Sequence, residues 1–205
     1  MRIDTPIEDV ATLEALYGTA NPTSLAKVAP RLTPAYRDWI AAARFMALAT
    51  VGPEGLDVSP RGDGPGDLLA IEDEATLLIP ARRGNNRLDS LRNIVRDPRV
   101  ALLFLIPGVG ETLRVQGRAR LAADETLRAR FAARGRLPAT VIVVGIEAVY
   151  FQCARALARS ALWQPEGRPE AGVPSAGAMA RSAMPGFDAE AYDAELAARQ
   201  AATLY

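Results

Sequence analysis

The chain has 205 residues, 49% of them hydrophobic and 23% charged, with 24 basic and 24 acidic residues and no histidine. A balanced charge excludes a general nucleic-acid binder, which needs a basic excess. The missing histidine excludes Ser-His and Cys-His nucleophiles, His-ligated zinc and imidazole acid–base catalysis, and the single cysteine, Cys153, excludes an intrachain disulfide or a cysteine-rich metal site.

Lys27 is the only lysine, so any basic site is built from guanidinium groups. The length suits one core with appended helices. Met1-Arg2-Ile3-Asp4 lacks the character of a signal peptide, and no apolar run approaches ~18 residues, so a soluble, cytoplasmic protein without membrane contact is expected.

In chain order, Thr5-Pro6-Ile7-Glu8 reads as a capping box opening a helix with Ile7, Val10, Leu13 and Leu16 or Tyr17 on one face and Gly18 at its stop. Thr33-Pro34 repeats the start signal before Tyr36, Trp39, Ile40 and Ala43. Both helices are expected to pack on a core. Residues 45–51 are a compact apolar strand, Gly52-Pro53-Glu54-Gly55 a turn, and residues 56–60 its hairpin partner. A glycine-rich loop, Arg61-Gly62-Asp63-Gly64-Pro65-Gly66, leads to a strand pair at 68–71 and 76–80 around Glu72-Asp73-Glu74, an acidic turn where no converging metal ligands are found.

Pro80-Ala81-Arg82-Arg83-Gly84-Asn85-Asn86-Arg87 then precedes a helix. Asn86 is placed for an N-cap, Asp89 for complementing the dipole, and Leu88, Leu91 and Val95 for an apolar face that ends at Asp97-Pro98. Residues 100–106 are wholly apolar and read as an interior strand. Residues 111–122 alternate strictly: Leu113, Val115, Gly117, Ala119 and Leu121 on one face, Arg114, Gln116, Arg118 and Arg120 on the other. A helix over 124–134 ended by Gly135, a strand over 139–151 and a helix over 153–162 follow. Residues 164–186 read as an extended connection rich in proline, glycine, alanine and serine. A final helix starts near Asp188, stapled by Phe187 and Tyr192. Successive strands joined by tight turns indicate a mainly β, antiparallel barrel with flanking helices.

Three arginine-bearing places are candidates for chemistry. Ser59 and Arg61, at the end of a strand, can both donate to an anion; alternatively, Arg61 and Asp63 are a surface ion pair. The stretch from Arg82 to Asp89 combines forked guanidinium donors with a helix start, a ready anion site, or is an ordinary capped surface helix. The polar face of Arg114, Gln116, Arg118 and Arg120 is either solvated or lines a cofactor cleft. Cys153 reads as a small buried hydrophobe. Trp163 is a core or interface residue, or an aromatic over a flat cofactor.

Taken together, these segments resemble the pyridoxamine 5′-phosphate oxidase-like FMN-binding split-barrel family over roughly residues 7–165. The resemblance is carried by Phe45–Thr50 with Gly55, by Asp57-Val58-Ser59-Pro60-Arg61-Gly62-Asp63, by Gly84-Asn85-Asn86-Arg87-Leu88-Asp89-Ser90-Leu91-Arg92-Asn93-Ile94, and by Pro98-Arg99-Val100 leading into Leu103-Phe104. Thr112-Leu113-Arg114-Val115-Gln116-Gly117-Arg118-Ala119 and Arg159-Ser160-Ala161-Leu162-Trp163 complete it. It implies an N-terminal helical extension (1–44), a split-barrel flavin-binding domain (45–163), and a linker with a C-terminal helix (164–205) packing on the barrel or the partner subunit.

The resemblance further implies a homodimer of six-stranded barrels with FMN at the subunit interface. The phosphate would lie at Arg61, Asn86 and Arg87 beside Ser59, and the ring along Val58, Ile79 and Pro80, with Pro60 in the same segment. Arg114, Gln116, Arg159 and Trp163 would reach it from the other subunit. The expected function is an FMN-dependent oxidoreductase acting on a small molecule. Hydride or electron transfer would run through flavin N5, Arg114 would stabilise negative charge on the reduced ring, and no side chain would be catalytic and no metal bound. The alternatives are a non-catalytic flavin-binding or flavin-sensing protein and an F420-dependent reductase on the same fold; haem is disfavoured without histidine. Two departures stand out. The phosphate-vitamin oxidases end in an Arg-Leu-x-Pro-like segment where this chain has Leu204-Tyr205, which speaks against pyridoxamine-phosphate oxidation. Relatives often carry His-Cys-Ala-Lys where this chain has Gln152-Cys153-Ala154-Arg155.

Overall fold

The structure is a computed structural model that describes residues 4–164 and 172–202. Seven antiparallel strands form one mainly β sheet: β1 (Phe45–Gly52), β2 (Gly55–Gly62), β3 (Ala70–Ile71), β4 (Thr76–Pro80), β5 (Arg99–Leu105), β6 (Thr112–Ala122) and β7 (Val141–Gln152), in the spatial order β2-β1-β5-β6-β7-β4-β3. This is the split-barrel architecture with flanking helices, with the two-residue β3 as a seventh strand at one edge.

The predicted hairpin is present: Gly52 pairs with Gly55, whose φ of 111° suits a residue without a Cβ. β5 lies between β1 and β6, as its unbroken apolar run demands. Along β6 the alternation holds, with Leu113, Val115 and Ala119 sealed and Arg114, Gln116, Arg118 and Arg120 exposed. The β6–β7 register shifts between Gln116 and Gly117, where a Cβ on Gly117 would meet the Gly145 carbonyl oxygen at 2.1 Å. Only glycine fits this close backbone approach. The core joins Met46 and Leu48 of β1 to Leu77 and Ile79 of β4, Leu102 and Phe104 of β5, and Ile142, Val144 and Val149 of β7.

The helices depart further from expectation. α1 (Val10–Tyr17) starts after Asp9, not Thr5, because the Asp9 carboxylate accepts the Thr12 N–H at 2.7 Å. Neither α1 nor α2 (Pro22–Ala26) buries a residue, so the expected packing of the first helix on a core is absent. α3 (Pro34–Ala42) is capped by Thr33 as predicted and buries Ile40. α4 (Asp89–Arg96) buries Ser90, Asn93 and Ile94, whereas Leu88 and Val95 of the predicted apolar face are exposed. The buried face of α4 is partly polar because Ser90 and Asn93 meet polar groups of β2 and β1, while Ile94 joins the core. α5 (Glu125–Ala129) is shorter than predicted; the chain then turns through positive φ at Arg134 and Gly135.

α6 (Arg155–Ser160) follows β7, leaving Cys153 exposed rather than buried. The stretch expected to be extended contains α7 (Ala176–Ala183), and Gly177 is buried against α8 (Ala189–Ala202), where its N–H meets Asp193 at 2.7 Å. The Phe187–Tyr192 staple is present, with ring centroids 5.3 Å apart. Residues 165–171 of the predicted linker and the terminal Leu204-Tyr205 lie outside the described residues.

Candidate functional site

A cavity of about 790 Å³ opens where β2, the loop after β4, the start of α4 and the segment 133–140 meet. Strand alternation decides what β2 sends into it. Asp57, Ser59 and Arg61 line the cavity, while Val58 between them is 67% exposed on the opposite face. The volume lies in the range of small-molecule sites, about 300–1,000 Å³.

Arg61 is the most constrained charge there. Its Nε is buried and has no hydrogen-bond partner among the described residues. Burial lowers its pKa from the ordinary value, and the nearby Asp57 carboxylate partly opposes that. The group stays a cation, since arginine ordinarily titrates far above neutrality. A buried guanidinium donor left open is costly until an acceptor arrives.

The loop above it is shaped differently from the expectation. Asn86 does not cap α4. It sits at φ 60°, Leu88 follows at φ 61°, and the helix begins at Asp89 without a side-chain cap. Asparagine tolerates this left-handed region; a leucine there stores on the order of 1 kcal/mol. The Asn85 side chain accepts the Arg87 N–H at 3.1 Å, and Arg87 Nε pairs with Asp89 at 2.8 Å. Arg87 is otherwise open, its side chain 76% exposed. Asn86 and Arg87 both line the cavity.

Beneath the loop, Ser90 donates to Asp57 Oδ2 at 2.9 Å, and its hydroxyl lies 2.9 Å from that of Ser59. Asp57 and Ser90 carry no role in the sequence reading. The available signal was the period of two, which puts Asp57 on the face of Ser59 and Arg61. The segment Leu137-Pro138-Ala139-Thr140, which completes the wall and leaves the buried Thr140 hydroxyl without a partner among the described residues, gave no such signal.

A second cavity, about 730 Å³, adjoins the first through Arg61, Arg82 and Arg83 and is lined by Pro60, Ile79 and Pro80. Ser59, Pro60, Arg61, Ile79, Pro80, Asn86 and Arg87 are therefore brought to one region. Val58, Arg114, Gln116, Arg159 and Trp163 line neither cavity. Arg114 lies over the Tyr150 ring at 5.7 Å on the outer sheet face, Gln116 and Arg159 are exposed, and Trp163 donates its indole N–H to the Val109 carbonyl at 2.8 Å. Among the described residues no cluster of His, Cys, Asp or Glu fits a metal ion, and no helix is long and apolar enough to cross a membrane.

The family profile of pyridoxamine 5′-phosphate oxidase matches residues 32–153, more than half of the chain. The chain belongs to this family. The matched region of this pyridoxamine 5′-phosphate oxidase family member contains all seven strands and both cavities; α1, α2, α6, α7 and α8 lie outside it. Among solved structures, HupZ of Group A Streptococcus is 17% identical, with a TM-score of 0.47 over 58% of this chain and 91% of HupZ. A FAD-binding protein from Mesorhizobium loti is 19% identical, with a TM-score of 0.42 over 60% of this chain and 94% of its own. The FAD-binding protein of Mycobacterium smegmatis is 16% identical, with a TM-score of 0.42 over 60% of this chain and 97% of its own. No curated protein matches the chain.

Proposed function

We propose that the larger cavity takes the phosphate end of FMN and that the protein is a flavin-dependent oxidoreductase acting on a small molecule. The observation that carries this reading is Arg61, which lines a cavity large enough for a cofactor and whose buried Nε has no partner among the described residues. A phosphate oxygen supplies the acceptor that this donor lacks, and a guanidinium fork matches its geometry. Asn86, Arg87 and the start of α4 add donors and positive potential on the same side. Ile79, Pro80 and Pro60 offer an apolar wall suited to a flat ring in the adjoining cavity.

Bound flavin supplies hydride or electron transfer at N5. The chain's own residues bind and orient it, with no side-chain nucleophile required. We further propose a homodimer. Phe45 of β1 and Leu56 and Val58 of β2 are exposed; Val58 pairs with Ala49, whose row continues through Ala101 to Gln116, Leu56 pairs with Val51, and Phe45 pairs with Leu105, all on the same sheet face. A contiguous apolar face of this kind calls for cover. A second copy laid on it would carry Arg114 and Gln116, together with Arg159 and Trp163, toward the flavin, where Arg114 would stabilise negative charge on the reduced ring. Residues 45–163 are then the flavin-binding unit.

Visible absorption of the purified protein, before and after incubation with FMN and gel filtration, tests the reading. A retained flavin spectrum supports it; a colourless protein that takes up no FMN overturns it. Stopped-flow reduction by NADH or NADPH then distinguishes a working enzyme from a carrier, and sedimentation of the wild type against Val58→Glu tests the dimer.

A further inference from the structure

We infer that Asp57, acting through Ser90, fixes Ser59 as a hydrogen-bond acceptor, so that the cavity selects phosphate esters carrying a free hydroxyl over phosphates that lack one. The inference rests on the reading of this cavity as a phosphate site.

Serine has one hydroxyl hydrogen, and an ionised carboxylate can only accept. Ser90 Oγ lies 2.9 Å from Asp57 Oδ2, so the Ser90 hydrogen is committed to Asp57. The contact of 2.9 Å between the Ser90 and Ser59 hydroxyls then closes only if Ser59 donates to Ser90. Ser59 has no second hydrogen and meets the cavity with lone pairs alone. Ser90 is buried and the chain spans two elements, β2 and α4, so the order of donors is held by packing. A phosphate oxygen, itself an acceptor, finds no bond at Ser59 and goes to Arg61, two residues further along the same strand face. A hydroxyl of the same ligand satisfies Ser59. The Asp57 charge beside Arg61 also disfavours a phosphate drawn toward the serine end. The ligand class is a phosphorylated polyol, anionic at one end and hydroxyl-bearing next to it, a description that the ribityl phosphate of FMN fits.

The test uses small probes on the full chain. Binding of sn-glycerol 3-phosphate and of n-propyl phosphate is measured by isothermal titration for the wild type, Ser59→Ala and Asp57→Asn. The two probes share charge and length and differ in their hydroxyls. The wild type is expected to prefer glycerol 3-phosphate by roughly tenfold, the ratio for one satisfied hydrogen bond. Ser59→Ala should bring the ratio close to one with propyl phosphate binding retained. Asp57→Asn should do the same, because its amide can donate to Ser90 and reverse the order of donors, while propyl phosphate binding holds or improves with the loss of a negative charge. A merely structural role for Asp57 would weaken both probes together and leave the ratio intact. Equal binding of the two probes by the wild type, or a preserved preference in Asp57→Asn, overturns the inference alone. Failure of both probes to bind overturns the phosphate reading with it.

Discussion

Arg82 Nε lies 2.7 Å from Asp63 Oδ2, and the pair fastens the end of β2 to the end of β4. These strands stand near opposite edges of the sheet order, so the contact draws the split between the edges together, next to both cavities. The side chains are only 18% and 3% exposed. Arg82 also donates to the carbonyls of Phe131 and Asp67, which ties in the segment after α5.

Removing Arg82 takes the guanidinium from a nearly sealed carboxylate. Arg82→Ala is expected to destabilise the fold by about 3 kcal/mol, the lower part of the range for breaking a buried ion pair. Arg82→Lys, which keeps the charge and loses the fork, should fall between the two. Urea denaturation reads both; a loss below about 1 kcal/mol for Arg82→Ala would show that the pair behaves as an exposed one.

Asn93 of α4 donates to Thr50 Oγ1 at 3.1 Å, with both residues buried, and a Cβ on Gly52 would stand 2.1 Å from Asn93 Oδ1. Gly52→Ala should therefore cost about 1–3 kcal/mol, since Asn93 can yield only by giving up its bond to Thr50. The two sites share one space, so the costs should not add: in an Asn93→Ala background, Gly52→Ala should be close to neutral. Thermal unfolding of the four-member cycle checks this, and additive costs would contradict it.

The hydrogen bonds from the Arg99 side chain and backbone lower the Asp97 pKa to about 2 from an ordinary 3.8. A carboxylate depressed in the folded state contributes stability that is fully present above the unfolded value and is lost as pH falls through the folded one. That contribution should fade as pH falls from about 4 toward 2 and be flat at neutral pH. Carboxyl carbon shifts in an NMR titration should place the Asp97 midpoint near 2, and Arg99→Ala should return it toward 3.8. An unchanged midpoint in the variant would remove Arg99 as the cause.

How far the sequence could be read depended on whether local pattern or tertiary contact decided each residue. The strict alternation of residues 112–122 and the glycine-closed hairpin at 52–55 are local, and both appear as expected. Asn86 is the contrary case. Asparagine serves equally as an N-cap or in the left-handed region, and the path from β4 to α4 requires the second. The buried face of α4 also escaped pattern reading, because Ser90 and Asn93 are buried by partners on β2 and β1. α1 shows the limit of apolar periodicity: the spacing fits a helix, but nothing in it tells whether a partner surface is present. For the site, the arginines were visible in sequence, yet only burial separates Arg61, with its unpartnered Nε, from Arg87, which is open and already paired with Asp89.

That separation gives the most direct measurement of the central claim. FMN is titrated into the wild type, Arg61→Ala and Arg87→Ala, with quenching of flavin fluorescence as the readout, at low and at high salt. If Arg61 holds the phosphate, Arg61→Ala should lose on the order of 2 kcal/mol of binding, roughly thirtyfold, at both salt concentrations. Arg87→Ala should lose less, and the loss should shrink in salt because its side chain is exposed. FMN affinity unchanged by Arg61→Ala, with the wild type saturating, would contradict the account.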